Sequence, residues 1–183
     1  CLVNPRACYE LDLNIESSDF KKSLAIIGAG PAGLSAAITA AQRGHNVSLF
    51  DSASKIGGQF NLAQQIPGKE EFSETLRYFE RQLKLHNVDV KLGQRINTQQ
   101  LNASDFDEVI IATGIAPRTP AIDGIDHPSV VSYIDIISGK VNPGKSVAII
   151  GAGGIGFDVA EFLSHQGQSS IHNIPAFMKE WGI

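Results

Sequence analysis

The feature that most constrains the fold is a glycine-rich turn between a short apolar run and a helical pattern. Residues 24–27 are apolar and rich in strand formers, as is typical of a buried parallel strand. Three glycines follow with the spacing G-x-G-x-x-G, namely Gly28, Gly30 and Gly33. Apolar residues then recur at helical spacing as far as Gly44, which is placed to end the helix. This order of strand, glycine turn and helix predicts the start of a Rossmann-like dinucleotide-binding unit.

A second predicted strand, at 46–51, has an acid at its end. Asp51 lies close to the offset of about 20 residues at which such an acid accepts hydrogen bonds from a ribose. In that arrangement Gly30 would let a pyrophosphate approach the backbone, where unpaired N–H groups and the helix dipole favour negative charge. An ordinary strand-end aspartate is the alternative interpretation of Asp51. The glycines and the offset together favour the nucleotide.

Two further stretches fit the same ligand. Gly57 and Gly58 form a glycine pair after the acid, and the amide of Gln59 is able to hydrogen-bond a flavin or ribose edge, although a plain surface loop is the alternative. Farther on, an apolar strand ends in the small residues Thr113 and Gly114, as expected where a ligand passes over the carboxyl end of a parallel strand.

The remaining pattern supplies the connecting elements. Lys69 could face a phosphate or simply be solvated. We predict a helix over 71–86, a strand pair over 88–92 and 95–97, a crossing between domains over 115–126, a helix over 130–138 and a further helix from 177.

The opening pattern then occurs a second time. A predicted strand at 146–150 leads into Gly151, Gly153 and Gly156, and a predicted helix covers 157–164. Two complete fingerprints indicate an α/β chain with two Rossmann-like units and therefore two dinucleotides. Two such sites in one chain favour hydride transfer between a nicotinamide and a flavin, with FAD at the first fingerprint and NAD(P)H at the second.

Composition narrows the class of protein. The net charge of −4 comes without basic clusters, which gives no support for nucleic-acid binding. No uninterrupted apolar run is long enough to cross a bilayer, so a cytoplasmic protein without membrane contact is expected. The chain shows no Ser/His/Asp, Cys/His or paired-carboxylate arrangement, so we predict no catalytic residue. It begins at Cys1 rather than Met, and we expect an internal piece of a longer protein.

Several longer runs carry a family resemblance, at 1–8, 57–60, 65–72, 114–120, 122–128 and 149–157. Through them the whole chain resembles an internal segment of the bacterial 2,4-dienoyl-CoA reductases, in the NADH:flavin oxidoreductase family that includes trimethylamine dehydrogenase. The resemblance implies three parts: a linker (1–20), an incomplete FAD-binding domain (21–115) and the start of an NAD(P)H-binding domain (116–183). It also implies that this piece alone holds FAD poorly.

The resemblance further implies roles for single residues. Cys1 matches the fourth ligand of a 4Fe–4S cluster whose other three cysteines lie upstream, whereas Cys8 matches no ligand. The backbone of Ile96 would meet the adenine of FAD. Asp158 stands where related flavoproteins often have a glutamate near the nicotinamide. The implied FAD residues are Gly28, Gly30, Gly33, Asp51, Gln59, Ile96, Thr113 and Gly114, and those for NADPH are Gly151, Gly153 and Gly156.

As implied by the resemblance, electrons pass from NADPH to FAD, to the cluster and to an FMN on an upstream TIM barrel, which reduces a 2,4-dienoyl-CoA thioester in fatty-acid oxidation. Two alternatives stay open. The substrate could be a 2-enoate or an amine, or the chain could be a nucleotide-binding relay subunit without its own substrate site. The residues do not distinguish NADP from NAD, and NADPH rests on the resemblance alone.

Overall fold

The computed structural model describes residues 6–165, 170–171 and 173–183. Its elements are β1 (Ser23–Ile27), α1 (Pro31–Gln42), β2 (Asn46–Phe50), α2 (Phe60–Ala63), α3 (Phe72–Leu85), β3 (Asp89–Lys91), α4 (Thr98–Asn102), β4 (Glu108–Ile111), α5 (Tyr133–Ile137), α6 (Gly154–Ser164) and α7 (Ile174–Glu180). The described chain divides into two compact units. The first contains the described residues up to Phe60 together with Glu74–Ile115, and the second contains Asn61–Ser73 together with the described residues from Ala116 onward.

The first unit is built on a parallel sheet with the strand order β3-β2-β1-β4. In this register Ile26 of β1 lies between Leu49 of β2 and Ile110 of β4. The apolar runs of the sequence form the two central strands because a parallel sheet buries such strands most completely. A Rossmann-like parallel α/β unit is therefore confirmed for the first fingerprint.

The core of this unit lies on one face of the sheet. Ile26 and Leu49 are fully buried there against Leu34 of α1, and Leu83 of α3 joins the same cluster. Leu83 belongs to the apolar stripe that predicted helix 71–86, and α3 confirms that helix with slightly shorter bounds. This packing holds β1, α1 and β2 in a parallel β-α-β arrangement, so the glycine turn after β1 and the acid after β2 lie at the same carboxyl edge of the sheet.

The second unit contains α5, α6 and α7, and its apolar cluster joins Ile66 to Ile137 and Val159. The predicted strand at 146–150 is wrong for this structure, since residues 147–150 pair with no strand among the described residues. A strand needs a hydrogen-bonded neighbour, and the sheet described here draws all four of its strands from the first unit.

Other predicted bounds also change. The second member of the predicted strand pair, 95–97, is not a strand, and β3 pairs in parallel with β2 instead. Asn97 is the N-cap of α4, where its side chain accepts a hydrogen bond from the backbone N–H of Gln100 in a capping box. The helix predicted over 130–138 is shorter, the one predicted from 177 begins earlier, and the segment 61–73, placed by the sequence within the first domain, clusters with the second unit.

Candidate dinucleotide site

Two glycines of the first turn, Gly28 and Gly33, have no room for a side chain. Gly28 has a φ of +110°, and a Cβ there would lie 2.2 Å from the carbonyl oxygen of Ala112. A Cβ on Gly33 would lie 1.8 Å from the carbonyl oxygen of Gly28. The turn is thus pressed between the start of α1 and the end of β4, which brings the backbone of Thr113 beside it. The tight turn at Gly28 and the close packing at Gly33 therefore both depend on the absence of a side chain.

Gly30 differs from these two glycines because the space that a side chain would occupy is open. It is the N-cap of α1 with a φ of −76°, and a Cβ on it would meet nothing within 4 Å. No side chain caps this helix start, so its first N–H groups have no side-chain acceptor among the described residues and stay available to a ligand. This space beside an uncapped helix N-terminus fits the pyrophosphate of a dinucleotide, and Gly30 is the residue that would hold it at the backbone.

Asp51, predicted as the ribose acceptor, also fastens the turn. One carboxylate oxygen accepts a hydrogen bond from the backbone N–H of Ala29 at 2.6 Å, and the other accepts one from Ala53 at 2.7 Å. A carboxylate has about four lone-pair sites, so two acceptor positions are left for ribose hydroxyls. The sequence offered no sign of the contact with Ala29, because 22 residues separate the two positions.

The predicted glycine pair closes on the same turn. The backbone N–H of Gly57 donates to the carbonyl oxygen of Ala29 at 2.8 Å. A Cβ on Gly58 would lie 3.0 Å from the Cα of Gly30, and both loop glycines have positive φ values. Ala29 is therefore held at its N–H and at its carbonyl, and the loop lies against the turn. Gln59 follows at once and is exposed, so its amide is free to meet a ligand.

Two further predicted FAD residues occupy different surroundings. Gly114 has a φ of +74° just beyond β4, and a Cβ on it would meet nothing within 4 Å. Ile96 is half-buried and lines an open cleft of about 590 Å³ beyond β3. The cleft is lined by Phe50, Lys91, Gln94, Arg95, Ile96, Gln100, Ser104 and Phe106. The structure thus gathers most of the predicted set around the turn, while the role of Ile96 stays a prediction.

The second glycine turn repeats the geometry of the first within its own unit. Gly151 has a φ of +120°, and a Cβ on Gly156 would lie 2.1 Å from the carbonyl oxygen of Gly151. Gly153 is the uncapped N-cap of α6 with a φ of −89°, and a Cβ there would again meet nothing within 4 Å. These glycines form the predicted turn and helix start, even though the strand predicted before them does not form a ladder.

An ion pair forms between Lys69 and Asp158 of α6, the helix that begins at the second turn. The ammonium of Lys69 donates to both carboxylate oxygens of Asp158, at 2.6 and 2.7 Å. Both residues belong to the second unit, and Lys69 is therefore paired rather than simply solvated. The two lie 89 positions apart, so no local pattern reveals the contact.

The part of the chain that the structure describes shows neither a metal-ligating cluster nor a membrane-spanning helix. No cluster of three or more metal-ligating side chains occurs among the described residues, and Cys1, the predicted cluster ligand, lies outside them. Within the same ranges of the chain, no helix has the length and apolar character needed to span a bilayer.

Comparison with known proteins identifies the family. A family model described as pyridine nucleotide-disulphide oxidoreductase matches residues 22–180, a span that contains both glycine turns. The chain belongs to this family. The predicted α/β, Rossmann-like fold class is thereby confirmed for the chain as a whole.

Three of the known proteins that this chain resembles are named as reductases of different kinds. The bilirubin reductase of Mediterraneibacter gnavus is 35% identical over 91% of this chain and 26% of its own length. The cinnamate reductase of Clostridium sporogenes is 34% identical over 92% of this chain and 25% of its own. A solved 2-naphthoyl-CoA reductase complex matches the whole chain and 30% of its own, with a TM-score of 0.86 and 32% identity.

The chain thus spans about a quarter of the curated relatives it matches. The matches support the predicted oxidoreductase class and a fold linked to pyridine nucleotides. Their names include several substrates, so the assignment to one substrate is a matter for proposal.

Proposed function

We propose that this chain is the electron-input module of a flavin and iron–sulfur oxidoreductase. The module takes electrons from NADPH at the second glycine turn, around Gly153, and passes them to FAD at the first, around Gly30. From there electrons go to a 4Fe–4S cluster and an FMN held by the rest of the protein, which reduces a 2,4-dienoyl-CoA thioester in unsaturated fatty-acid oxidation. We place the protein in the cytoplasm.

The observation that carries the proposal is the pair of matching turns. Each has a first glycine at positive φ, a third glycine whose Cβ would strike the carbonyl of the first, and an open, uncapped N-cap glycine between them. A structural glycine turn has no need of open space at its middle position, whereas a pyrophosphate does. Two such turns favour two dinucleotides over one.

The residues of each turn suit different parts of this task. Bound FAD would accept a hydride from the nicotinamide and return its electrons singly, which is the chemistry the cluster needs. Asp51 holds the first turn closed through Ala29 and keeps acceptor sites for the ribose. The Gly57–Gly58 loop lies over Gly30 and would keep water from the phosphates on that side.

Cys1 connects the module to the cluster in this proposal. A single thiolate cannot hold four irons, so three more cysteines must come from elsewhere in the protein. The short coverage of the relatives, about a quarter of their length, leaves ample room for such a region and for an FMN-binding barrel.

The names of the similar proteins point to three classes of substrate. The match with a 2-naphthoyl-CoA reductase favours a coenzyme A thioester. The cinnamate reductase favours a 2-enoate, and an N,N-dimethylglycine/sarcosine dehydrogenase at 36% identity keeps an amine in view. A relay subunit without its own substrate site is the candidate from a different class.

The test uses the full-length protein purified without oxygen. We expect FAD, FMN and about four irons per polypeptide, and faster NADPH oxidation with a 2,4-dienoyl-CoA than with cinnamate or dimethylglycine. Cys1→Ser should lose the cluster, and the matched variant Cys8→Ser should keep it. A protein with FAD but no iron and no turnover would favour the relay subunit. Turnover with cinnamate alone would favour the enoate reductase.

A further inference from the structure

The ion pair between Lys69 and Asp158 is a two-bond polar contact of the second unit that the proposed function does not use. The ammonium bonds to both carboxylate oxygens, and the side chains are only 40% and 32% exposed. An ion pair with two short bonds and reduced access to water is held more firmly than an ordinary surface pair.

The segment that carries Lys69 does not depend on this pair for its place. Ile66, three residues earlier, is 3% exposed and packs in the cluster that includes Val159, the neighbour of Asp158. Burial of an isoleucine anchors a segment more strongly than a partly exposed ion pair does. Ile66 is therefore the main anchor of segment 61–73 on α6, and the ion pair is available for a second role.

The charges on α6 indicate what this second role is. The helix carries two acids, Asp158 and Glu161, and no cation of its own. Asp158 follows the N-cap glycine, Gly153, by five positions, which is about 7 Å along the helix axis. Lys69 is the single cation between residues 56 and 76 of the sequence, and its ammonium lies on Asp158.

An unpaired carboxylate this close to the N-terminus of α6 would lower the affinity of the second turn for an anionic ligand in two ways. It would repel phosphate groups at the turn directly, and it would interact with the same positive helix end that the phosphates use. A cation bound to both carboxylate oxygens cancels most of this opposition.

We propose that Lys69 sets the affinity of the second turn for a dinucleotide by neutralising Asp158, and that it acts through Asp158 rather than by touching the phosphates. Lys69 is then a positioning residue supplied by segment 61–73 to a turn more than 80 residues away in the sequence. This inference rests on the proposed binding of NADPH at Gly153.

The experiment measures the Kd of NADPH and of NADH for the full-length protein at low and at high salt. Lys69→Met should raise the Kd about tenfold at low salt, and the difference should shrink in 1 M salt. The double variant Lys69→Met/Asp158→Asn should return the Kd to within about twofold of wild type, and Lys69→Arg should stay there as well. Lys140→Met is the matched control, because it removes one positive charge from an exposed pair with Asp135 in the same unit.

Each outcome decides between accounts. Rescue by the double variant supports neutralisation of Asp158. A double variant as weak as Lys69→Met would mean that Lys69 contacts the ligand or supports the fold, and it overturns the inference, as does an unchanged Kd in Lys69→Met. If Lys69→Met does not fold, Asp158→Asn still decides, since it should bind as tightly as wild type or tighter. A wild-type protein that binds neither nucleotide overturns the proposed function itself.

Discussion

Replacing Gly33 with alanine tests the packing of the first turn most directly. The new Cβ would lie 1.8 Å from the backbone oxygen of Gly28, whereas ordinary contact begins at 3.4 Å. Backbone cannot swing aside as a side chain can, so we place the overpacking cost near the upper end of the usual range, about 3 kcal/mol. Alanine returns about 1 kcal/mol because it favours the helix interior. The net loss of stability is about 2 kcal/mol.

Gly30→Ala is the matched control, three residues away in the same turn. Its Cβ meets nothing within 4 Å and its φ of −76° suits alanine. The free energy of unfolding of the apoprotein should therefore stay within about 1 kcal/mol of the wild-type value. The added methyl would instead fill the space proposed for the pyrophosphate, and FAD affinity should fall by at least about tenfold.

The assay is thermal unfolding of the full-length apoprotein, followed by titration with FAD. Gly33→Ala should lower the Tm by roughly 4–8 °C, and Gly30→Ala should lose FAD without a comparable shift. Equal Tm values for Gly33→Ala and wild type would refute the packing argument. A Gly30→Ala variant that binds FAD normally would refute the assignment of the open space.

Three more predictions follow from other contacts. Asp51→Ala should destabilise the apoprotein by about 1–3 kcal/mol in urea unfolding, since two backbone N–H groups lose their acceptor, and a purely ribose-binding acid would leave the apoprotein unchanged. The hydrogen bond from Lys84, together with its charge, lowers the pKa of Glu80 below its usual value of 4.5. The pair therefore stabilises the fold above pH 4.5, and this stabilisation is lost as the pH falls through the lowered pKa. In Lys84→Met, an NMR titration should show the pKa of Glu80 returning towards 4.5. Leu83→Ala should cost about 2–5 kcal/mol in the same unfolding assay, because the side chain is 4% exposed in the core, and a cost below 1 kcal/mol would contradict its placement.

Local pattern was enough to predict the first unit. The strand before Gly28 is a continuous apolar run, the helix after it has apolar residues at helical spacing, and the glycines between them leave the chain few alternatives. The strand predicted over 46–51 is confirmed as β2, because Val47, Leu49 and Phe50 are buried beside β1. Each of these elements depends on residues close together in the sequence.

The failures share the opposite property. Residues 147–150 have the composition of a strand but no neighbour to pair with in the described chain, and composition cannot supply one. The strand predicted over 95–97 is wrong because Asn97 instead caps α4, a role that depends on this one side chain and its partner Gln100. The contacts of Asp51 with Ala29 and of Lys69 with Asp158 join positions whose proximity follows only from the fold.

The hydrogen bonds of Ala29 also limit the number of backbone N–H groups that the first turn can donate to an anion. The N–H of Ala29 is committed to Asp51, that of Gly28 to the carbonyl of Phe50, and Pro31 has none to give. The donors left for a phosphate between residues 28 and 33 are then the amides of Gly30, Ala32 and Gly33. At the second turn the position of Pro31 is taken by a glycine, Gly154, so that turn has one more amide proton to offer. Hydrogen–deuterium exchange read amide by amide, before and after a nucleotide is added, would display this difference as unequal protection at two otherwise matching turns.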